Sequence, residues 1–155
     1  MQIATSKAKC ASCGSEFSSP YLSDFSYGEF LFTGEKGHVF AYFNAIGHPV
    51  WEFVTSAFPS GGDDRRRKAL GARIQAVCAY IADPVNGHKL VDQHVCPVCQ
   101  SRNWEWWGGG RVGWIEVADV TYKNFLSQPE TERRRVILEL DSKNKELVKA
   151  HESVE

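Results

Sequence analysis

The sequence has no excess of charge of either sign and no long apolar segment. Its 155 residues include 18 basic and 19 acidic side chains, a formal net charge of −1, so no global field draws the chain to nucleic acid or to an anionic membrane. The first seven residues lack the apolar segment of a secretory signal, and no stretch approaches the roughly 18 apolar residues that span a membrane. We therefore expect a soluble, cytoplasmic protein with no membrane partner, in which any binding of nucleic acid comes from a local patch.

Internal repeats and low-complexity linkers are also missing from the sequence. With 43% hydrophobic and 12% aromatic residues, a chain of this length can bury a core without outside help. These features predict a single domain over residues 1–155. A bound metal would add stability to such a core rather than substitute for one.

Turn signals and apolar spacing predict a mixture of strands and helices. Aromatic-rich stretches over 25–32 and 38–43 flank a glycine-bearing turn at 33–37, which is typical of a β-hairpin. Helical spacing of apolar residues predicts a helix over 49–58 and a longer one from Asp63 or Asp64 to about Ala82. The other predicted elements are a turn at Asn86-Gly87, a strand over 88–95, a second hairpin around Gly108–Gly110 and a final helix over about 129–150.

Four of the five cysteines form two Cys-x-x-Cys pairs, Cys10 with Cys13 and Cys96 with Cys99. Zinc prefers four soft, negatively charged ligands in a tetrahedron, and each such pair presents two thiolates at nearly the right mutual angle. The pairs therefore predict one four-thiolate zinc site that joins two distant parts of the chain. Thiols in this pattern suit a reducing compartment better than an oxidising one.

The turns at 10–14 and 96–100, named here the first and second knuckles, resemble those of the zinc-ribbon group, and the Trp-rich segment after the second knuckle resembles that group's β-hairpin. The resemblance implies a ribbon formed by residues 8–15 and 88–120. Two departures stand out. Gln100 occupies the place where ribbon knuckles commonly have glycine, so the second knuckle is expected to differ slightly in its backbone. The connection is also much longer than the usual 15 to 20 residues or so, so residues 16–87 are expected to fold as an insertion.

Other assignments of the cysteine pairs are redox dithiols, ordinary buried thiols, or iron in a rubredoxin-like site. A zinc ion held by four thiolates has no open position for a substrate, so the predicted site is structural rather than catalytic.

The remaining nucleophilic and titratable candidates lack a clear catalytic pattern. Cys78 is either a nucleophile or a packed thiol on the apolar stripe of the long helix, and the spacing favours packing. His94 is an ordinary strand residue, a spare metal ligand or a hydrogen-bond donor to the metal's cysteine ligands, and the strand residue is favoured. His38 and His48 could form a second metal site or an acid–base pair, but their loop contexts fix no mutual geometry. A small enzyme using one of these groups, or the carboxylates Glu105 and Glu116, is the weakest hypothesis.

Two local patches carry the nucleic-acid hypothesis. Arg65, Arg66, Arg67 and Lys68 lie in the first turn of the long helix, where cations oppose the helix dipole but can, with the helix amides, attract an anion; the alternative is a solvated face. In the Trp-rich hairpin, pairing of Trp107 with Arg111 would place Trp104, Trp106, Val112 and Trp114 on one face. That face is either a core wall or a platform for unpaired bases, with Arg102, Trp107 and Arg111 nearby.

The final helix has Ile137, Leu140, Asn144, Leu147 and His151 at three- and four-residue steps, so it packs on the domain or forms a homodimer seam. Arg133–Arg135 follow Glu130 and Glu132 and are expected to form surface ion pairs. Together these observations predict an α+β fold: a zinc ribbon, an insertion over 16–87 and a C-terminal helix. The predicted function is a noncatalytic binding module, an adaptor or regulator that contacts nucleic acid; the alternative is an adaptor for a protein partner.

Overall fold

Helices and strands are mixed along the chain, which confirms the predicted α+β class. The structure, a computed structural model, describes residues 1–23 and 26–152, with only the backbone given for 146–152. In chain order the elements are β1 (Gln2–Cys10), β2 (Glu16–Pro20), β3 (Glu29–Gly34), β4 (Phe40–Asn44), α1 (Pro49–Ser56), α2 (Asp64–Tyr80), β5 (Leu90–Val91), β6 (Trp104–Glu116), β7 (Ala118–Asp119), α3 (Lys123–Leu126) and α4 (Glu130–Glu152). None of the helices described is both long and apolar enough to cross a bilayer.

The elements group into two compact units. The first unit comprises Met1–Ile46 and Asp83–Thr121 and contains all seven strands described, and the second comprises Gly47–Ala82 and Tyr122–Glu155 and contains the helices. The expected insertion, 16–87, contributes strands to the first unit and helices to the second. The assignment of the whole chain to one domain stays a prediction.

Strand β1 is the centre of a three-stranded antiparallel sheet with the order β2-β1-β6. Its buried residues shift from odd positions, Ile3 and Thr5, to even positions, Ser6, Ala8 and Cys10. Successive side chains of a strand point to opposite faces, so the two ends of β1 bury opposite faces of the sheet. The even-numbered face carries Cys10 into the buried side of the first knuckle.

The predicted pairing of Trp107 with Arg111 in a second hairpin was wrong. Residues 104–108 and 113–116 both pair with β1, Trp107 with Ala8 and Gly113 with Thr5, so β6 runs on in one direction. Gly108, Gly109 and Gly110 have φ of 145°, 91° and 86°. Glycine tolerates these angles, and here they form a bulge of extra residues opposite β1 rather than a chain reversal.

The second sheet of the first unit has the order β5-β3-β4-β7. The hairpin predicted from the stretches 25–32 and 38–43 is confirmed, since Glu29–Thr33 pair antiparallel with Phe40–Asn44. Phe25, where the first predicted stretch begins, lies outside the described residues. Asn86 and Gly87 form the predicted turn with φ of 50° and 78°. The strand predicted over 88–95 is reduced to Leu90–Val91, which pairs with the end of β3.

The helices of the second unit begin where the sequence indicates. Pro49 is the first residue of α1, and the side chain of Asp63 caps α2 by accepting the Arg66 N–H at 2.9 Å. The buried core contains Val50, Val54, Ile74, Val77, Phe125 and Ile137. Ile137 is fully buried, which confirms that this part of α4 packs on its own unit. The side chains of Leu147 and His151 lie outside the described residues, and the homodimer stays a prediction.

Candidate metal centre

The two knuckles share one backbone conformation. In the first, the Gly14 N–H donates to the Cys10 carbonyl at 3.0 Å, and in the second the Gln100 N–H donates to the Cys96 carbonyl at 2.9 Å. In each turn the first cysteine also donates its N–H to the carbonyl five residues on, at 3.0 and 2.9 Å. Gly14 and Gln100 both have positive φ, 73° and 61°. The expectation that Gln100 changes the second turn was therefore wrong, because Gln100 accepts the left-handed conformation that glycine adopts freely.

The four sulfur atoms lie within 4.8 Å of one another. The Sγ atoms of Cys10 and Cys99 are 3.6 Å apart, and those of Cys13 and Cys96 are 3.7 Å apart. A tetrahedron with metal–sulfur bonds of about 2.3 Å has edges of about 3.8 Å, whereas a disulfide needs about 2.05 Å. All five cysteines of the chain are free thiols. The cluster therefore fits four-thiolate coordination of one metal ion, as the cysteine spacing predicted.

Burial differs between the two cysteines of each knuckle. Cys10 and Cys96 are fully buried, whereas Cys13 and Cys99 are exposed. A hydrogen bond between the hydroxyls of Ser12 and Ser101, 2.7 Å apart, also joins the two turns. The centre therefore has one side set into the first unit and one side open to solvent.

The environment favours ionisation of one thiol and opposes ionisation of another. Hydrogen bonding to Ser15, through its hydroxyl and then its N–H, lowers the pKa of Cys13 to about 6. The backbone of Ser101 lowers the pKa of Cys99, but partial desolvation of its sulfur and hydrogen bonding with the three neighbouring thiols outweigh it and raise that pKa to about 12. Four thiolates this close repel one another, so a bound cation is needed for all four to ionise near neutral pH.

The turn between β3 and β4 supports the second knuckle. A Cβ atom added to Gly37 would lie 2.6 Å from the Val95 carbonyl oxygen and 2.9 Å from the Pro97 nitrogen. Only glycine allows the turn to approach this closely. The hairpin therefore buttresses the segment that carries Cys96.

His94 belongs to the packing around the centre and lies outside the four-cysteine cluster. Its ring is 4.1 Å from the Trp107 ring, edge to face, and its Nδ1 is 3.4 Å from the Ser19 hydroxyl. Burial lowers the pKa of His94 to about 4. Trp107 in turn donates its indole N–H to the Ser6 hydroxyl at 2.6 Å. Trp107, which the sequence placed in a nucleic-acid surface, is thus fixed between His94 and β1.

A bulge at Glu105 changes which tryptophans share a face. Trp104 pairs with Cys10 and Trp106 with the adjacent Lys9, so Trp104 and Trp106 point to opposite faces. The prediction that they share a face was therefore wrong, because the extra residue breaks the alternation. Trp104 packs with Trp107, their ring centres 5.6 Å apart. Trp106 is 39% exposed.

The basic residues of the predicted binding surface lie in both units. In the second unit, Arg65, Arg66 and Lys68 are exposed near the start of α2, and Arg67 pairs with Asp64. In the first unit, Arg102 donates to the Gln93 side chain at 3.3 Å, and the Arg111 guanidinium lies 4.9 Å from the Trp114 ring centre.

The remaining residues singled out in the sequence are Cys78, the two histidines His38 and His48, and the arginines of α4. Cys78 is fully buried, as predicted, and burial raises its pKa to about 12. The Nδ1 atom of His48 accepts the Val50 N–H at 3.2 Å and so caps α1, whereas His38 is exposed in the first unit. Arg134 and Arg135 form the predicted ion pairs with Glu130 and Glu132.

Sequence reasoning missed β1 and with it Ser6, which anchors Trp107. The signal was present: small side chains at Ser6, Ala8 and Cys10 alternate with Lys7 and Lys9, which is typical of a half-buried strand.

Comparison with known protein families, curated proteins and solved structures finds no match to this chain. The assignment of the centre therefore rests on its own geometry.

Proposed function

We propose that the chain is a noncatalytic module in which one structural zinc ion, bound by Cys10, Cys13, Cys96 and Cys99, fastens the segment that precedes β6 to the end of β1. The sulfur spacing carries the proposal, because 3.6 and 3.7 Å are close to the tetrahedral edge for zinc. Zinc would supply the charge that allows four adjacent thiolates to coexist. With four protein ligands it keeps no position for a substrate, so we assign it to folding rather than to catalysis.

Metal analysis of the purified protein tests this role. We expect about one zinc per chain, and we expect Cys13→Ser and Cys96→Ser to lower both zinc content and the cooperativity of unfolding. Cys78→Ser is the matched control, since Cys78 is a buried thiol outside the cluster, and it should keep full zinc. A metal-free chain of unchanged stability would rule out the structural role, and the visible absorption of a ferric tetrathiolate would assign iron instead.

The partner we propose is single-stranded nucleic acid. Trp114, 58% exposed beside Arg111, offers an aromatic face on which a base can stack next to a cation that can meet a phosphate. On α2, Arg65–Lys68 exceed the neighbouring carboxylates of Asp63 and Asp64 by two charges. These features support binding of nucleic acid through local patches on a chain that is nearly neutral overall.

A gel-shift series with single- and double-stranded oligonucleotides at increasing salt tests the partner. We expect preferential binding of the single strand that weakens as salt rises, because bound phosphates release counterions. No binding at low salt would overturn this partner and favour a protein adaptor, for which the exposed Val112 and Trp114 of β6 are suitable contact residues.

A further inference from the structure

A cavity of about 440 Å³ lies in the second unit, between the loop 59–62 and the first turns of α2. Small-molecule sites commonly occupy about 300–1,000 Å³. Pro59, Ala69 and Leu70 give the cavity apolar surface, and Arg66 and Arg73 provide positive charge. None of these residues belongs to the metal centre. The cavity, which is open to solvent, therefore combines apolar lining with two cationic side chains, a composition that suits an anion with an apolar body.

Arg73 is held rigidly at one wall of the cavity. Its Nε and Nη2 atoms donate to the two carboxylate oxygens of Asp141 at 2.8 and 2.7 Å, and its guanidinium lies 5.1 Å from the Phe58 ring centre. Asp141 also pairs with Lys145 at 3.3 Å. Asp141 therefore neutralises Arg73 at the cavity wall, and the surplus positive charge of this group belongs with Lys145, which does not line the cavity.

Arg66 forms the other cationic wall. Its side chain is exposed and has no carboxylate partner among the residues described, and its backbone N–H is taken by Asp63. Since Asp63 already accepts the Arg66 N–H, the group of Arg66 that can attract an anion in this cavity is its guanidinium. A Cβ atom added to Gly62 would lie 3.0 Å from the Arg66 Cβ and 3.1 Å from its Cδ. The glycine therefore lets the arginine stem lie directly against the loop.

We propose that this cavity binds a small phosphate monoester with an aromatic or apolar body. The dianionic phosphate would contact Arg66 and lie in the field of the Arg73 group, and the body would cover Ala69 and Leu70. A phosphate monoester carries about −1.5 to −2 charges near neutral pH, and Arg66 is the guanidinium in the cavity lining that has no carboxylate partner among the residues described. A guanidinium also presents paired N–H groups that match phosphate oxygens. This site depends on neither the zinc proposal nor the nucleic-acid proposal.

Calorimetric titration of the zinc-loaded full chain with phenyl phosphate tests the site. We expect binding at one site, weakened about tenfold or more by Arg66→Gln, because a charge-assisted hydrogen bond is lost. Arg65→Gln removes the same charge from a neighbouring residue that does not line the cavity, and it should leave binding within about twofold because it removes no contact with the ligand and the remaining effect of its charge is screened by salt. Equal weakening by the two variants would show a diffuse charge effect and overturn the proposal, as would absence of phenyl phosphate binding.

Further ligands and one glycine variant separate the contributions of the phosphate group, the apolar body and the position of the Arg66 side chain to binding. Inorganic phosphate and phenol should each bind more weakly than phenyl phosphate, because inorganic phosphate lacks the apolar body and phenol lacks the phosphate group. Gly62→Ala should also weaken binding by displacing the Arg66 stem, with folding checked by circular dichroism. A 5′-mononucleotide that binds in an Arg66-dependent manner identifies nucleotides as one source of the monoester. If only an oligonucleotide without a terminal phosphate binds, and Arg65→Gln and Arg66→Gln weaken it alike, the cavity proposal fails while the nucleic-acid proposal stands.

Discussion

Gln100 has the same left-handed backbone as Gly14, its counterpart in the other knuckle, with φ of 61° against 73°. A side chain in this conformation costs about 1–2 kcal/mol, whereas glycine adopts it freely. The cost is tolerated because the Gln100 N–H must reach the Cys96 carbonyl, at 2.9 Å, for the turn to close. The second knuckle is therefore the more strained of the two.

Replacing Gln100 with glycine should stabilise the zinc-loaded protein by about 0.5–1 kcal/mol, since relief of strain exceeds the extra freedom of the unfolded chain. Gly14→Gln should destabilise by a similar amount, because a Cβ there meets no atom within 4 Å and strain alone acts. Urea denaturation at fixed zinc concentration measures both changes. If Gln100→Gly lowered stability, its side chain would have to make a contact that outweighs the backbone strain.

Gly37→Ala should destabilise the first unit strongly, by about 3 kcal/mol or more, because the new methyl group would overlap the Val95 carbonyl and the Pro97 nitrogen. Zinc affinity should fall as well, since Pro97 lies within the second knuckle. Gly47→Ala is the matched control: Gly47 has φ of 66°, and a Cβ there meets nothing within 4 Å, so it should cost only about 1 kcal/mol. Equal losses in the two variants, measured by denaturation and a zinc-competition assay, would contradict the buttressing role.

The knuckles could be predicted because their structure is local. A Cys-x-x-Cys turn, the Asn86-Gly87 turn and the Asp63 cap each depend on a few adjacent residues, and each is found where the sequence indicates. The sulfur spacing that suits a metal ion follows once both turns have formed. Local chemistry was therefore sufficient for the ligands of the candidate centre.

The pairing of β6 could not be predicted by the same means. Three glycines between two Trp-bearing segments favour a hairpin locally, but β1 offers pairing along both segments, Ala8 with Trp107 and Thr5 with Gly113. Such long-range pairing has no signature within β6 itself. The bulge at Glu105 then places Trp104 on the face opposite to Trp106, which is why the predicted Trp face was wrong.

Asp141→Asn should destabilise the second unit by about 3 kcal/mol at pH 7, because it leaves the half-buried Arg73 without its anion. The Arg73 hydrogen bonds hold the pKa of Asp141 below its ordinary 3.8. The carboxylate therefore stabilises the fold at pH above 3.8, and that contribution disappears as the pH falls through the lower pKa of the folded state.

The difference in unfolding free energy between wild type and Asp141→Asn should accordingly shrink below pH 3.8. Glu130→Gln removes an exposed partner of Arg134, 3.0 Å away, and serves as the control with a change within about 0.5 kcal/mol. Denaturant titrations at pH 7 and in steps below pH 4 measure both variants. A difference that stays constant with pH would mean that Asp141 acts through packing rather than through its charge.

Substitutions at Trp107 and Trp114 should distinguish an effect on stability from an effect on oligonucleotide binding. Trp107→Phe keeps a ring beside His94 but removes the indole N–H that Ser6 accepts at 2.6 Å. Ser6 is only 3% exposed, so its hydroxyl would lose a partner that water cannot readily replace, at a cost of about 1–3 kcal/mol. The folded variant should nevertheless bind a single-stranded oligonucleotide as the wild type does, because the Trp107 ring is engaged in packing with His94 and Trp104.

Trp114→Ala should give the opposite result. Trp114 is 58% exposed and its ring contacts Arg111, so its loss should change stability by no more than about 0.5 kcal/mol. If a base stacks on it, oligonucleotide binding should weaken by about 1–3 kcal/mol. Denaturation and fluorescence anisotropy on the same samples of both variants provide the comparison. Should Trp114→Ala bind as tightly as the wild type while Trp107→Phe loses binding in its folded state, the base would have to stack near β1 and His94, and the surface proposed at Trp114 and Arg111 would be wrong.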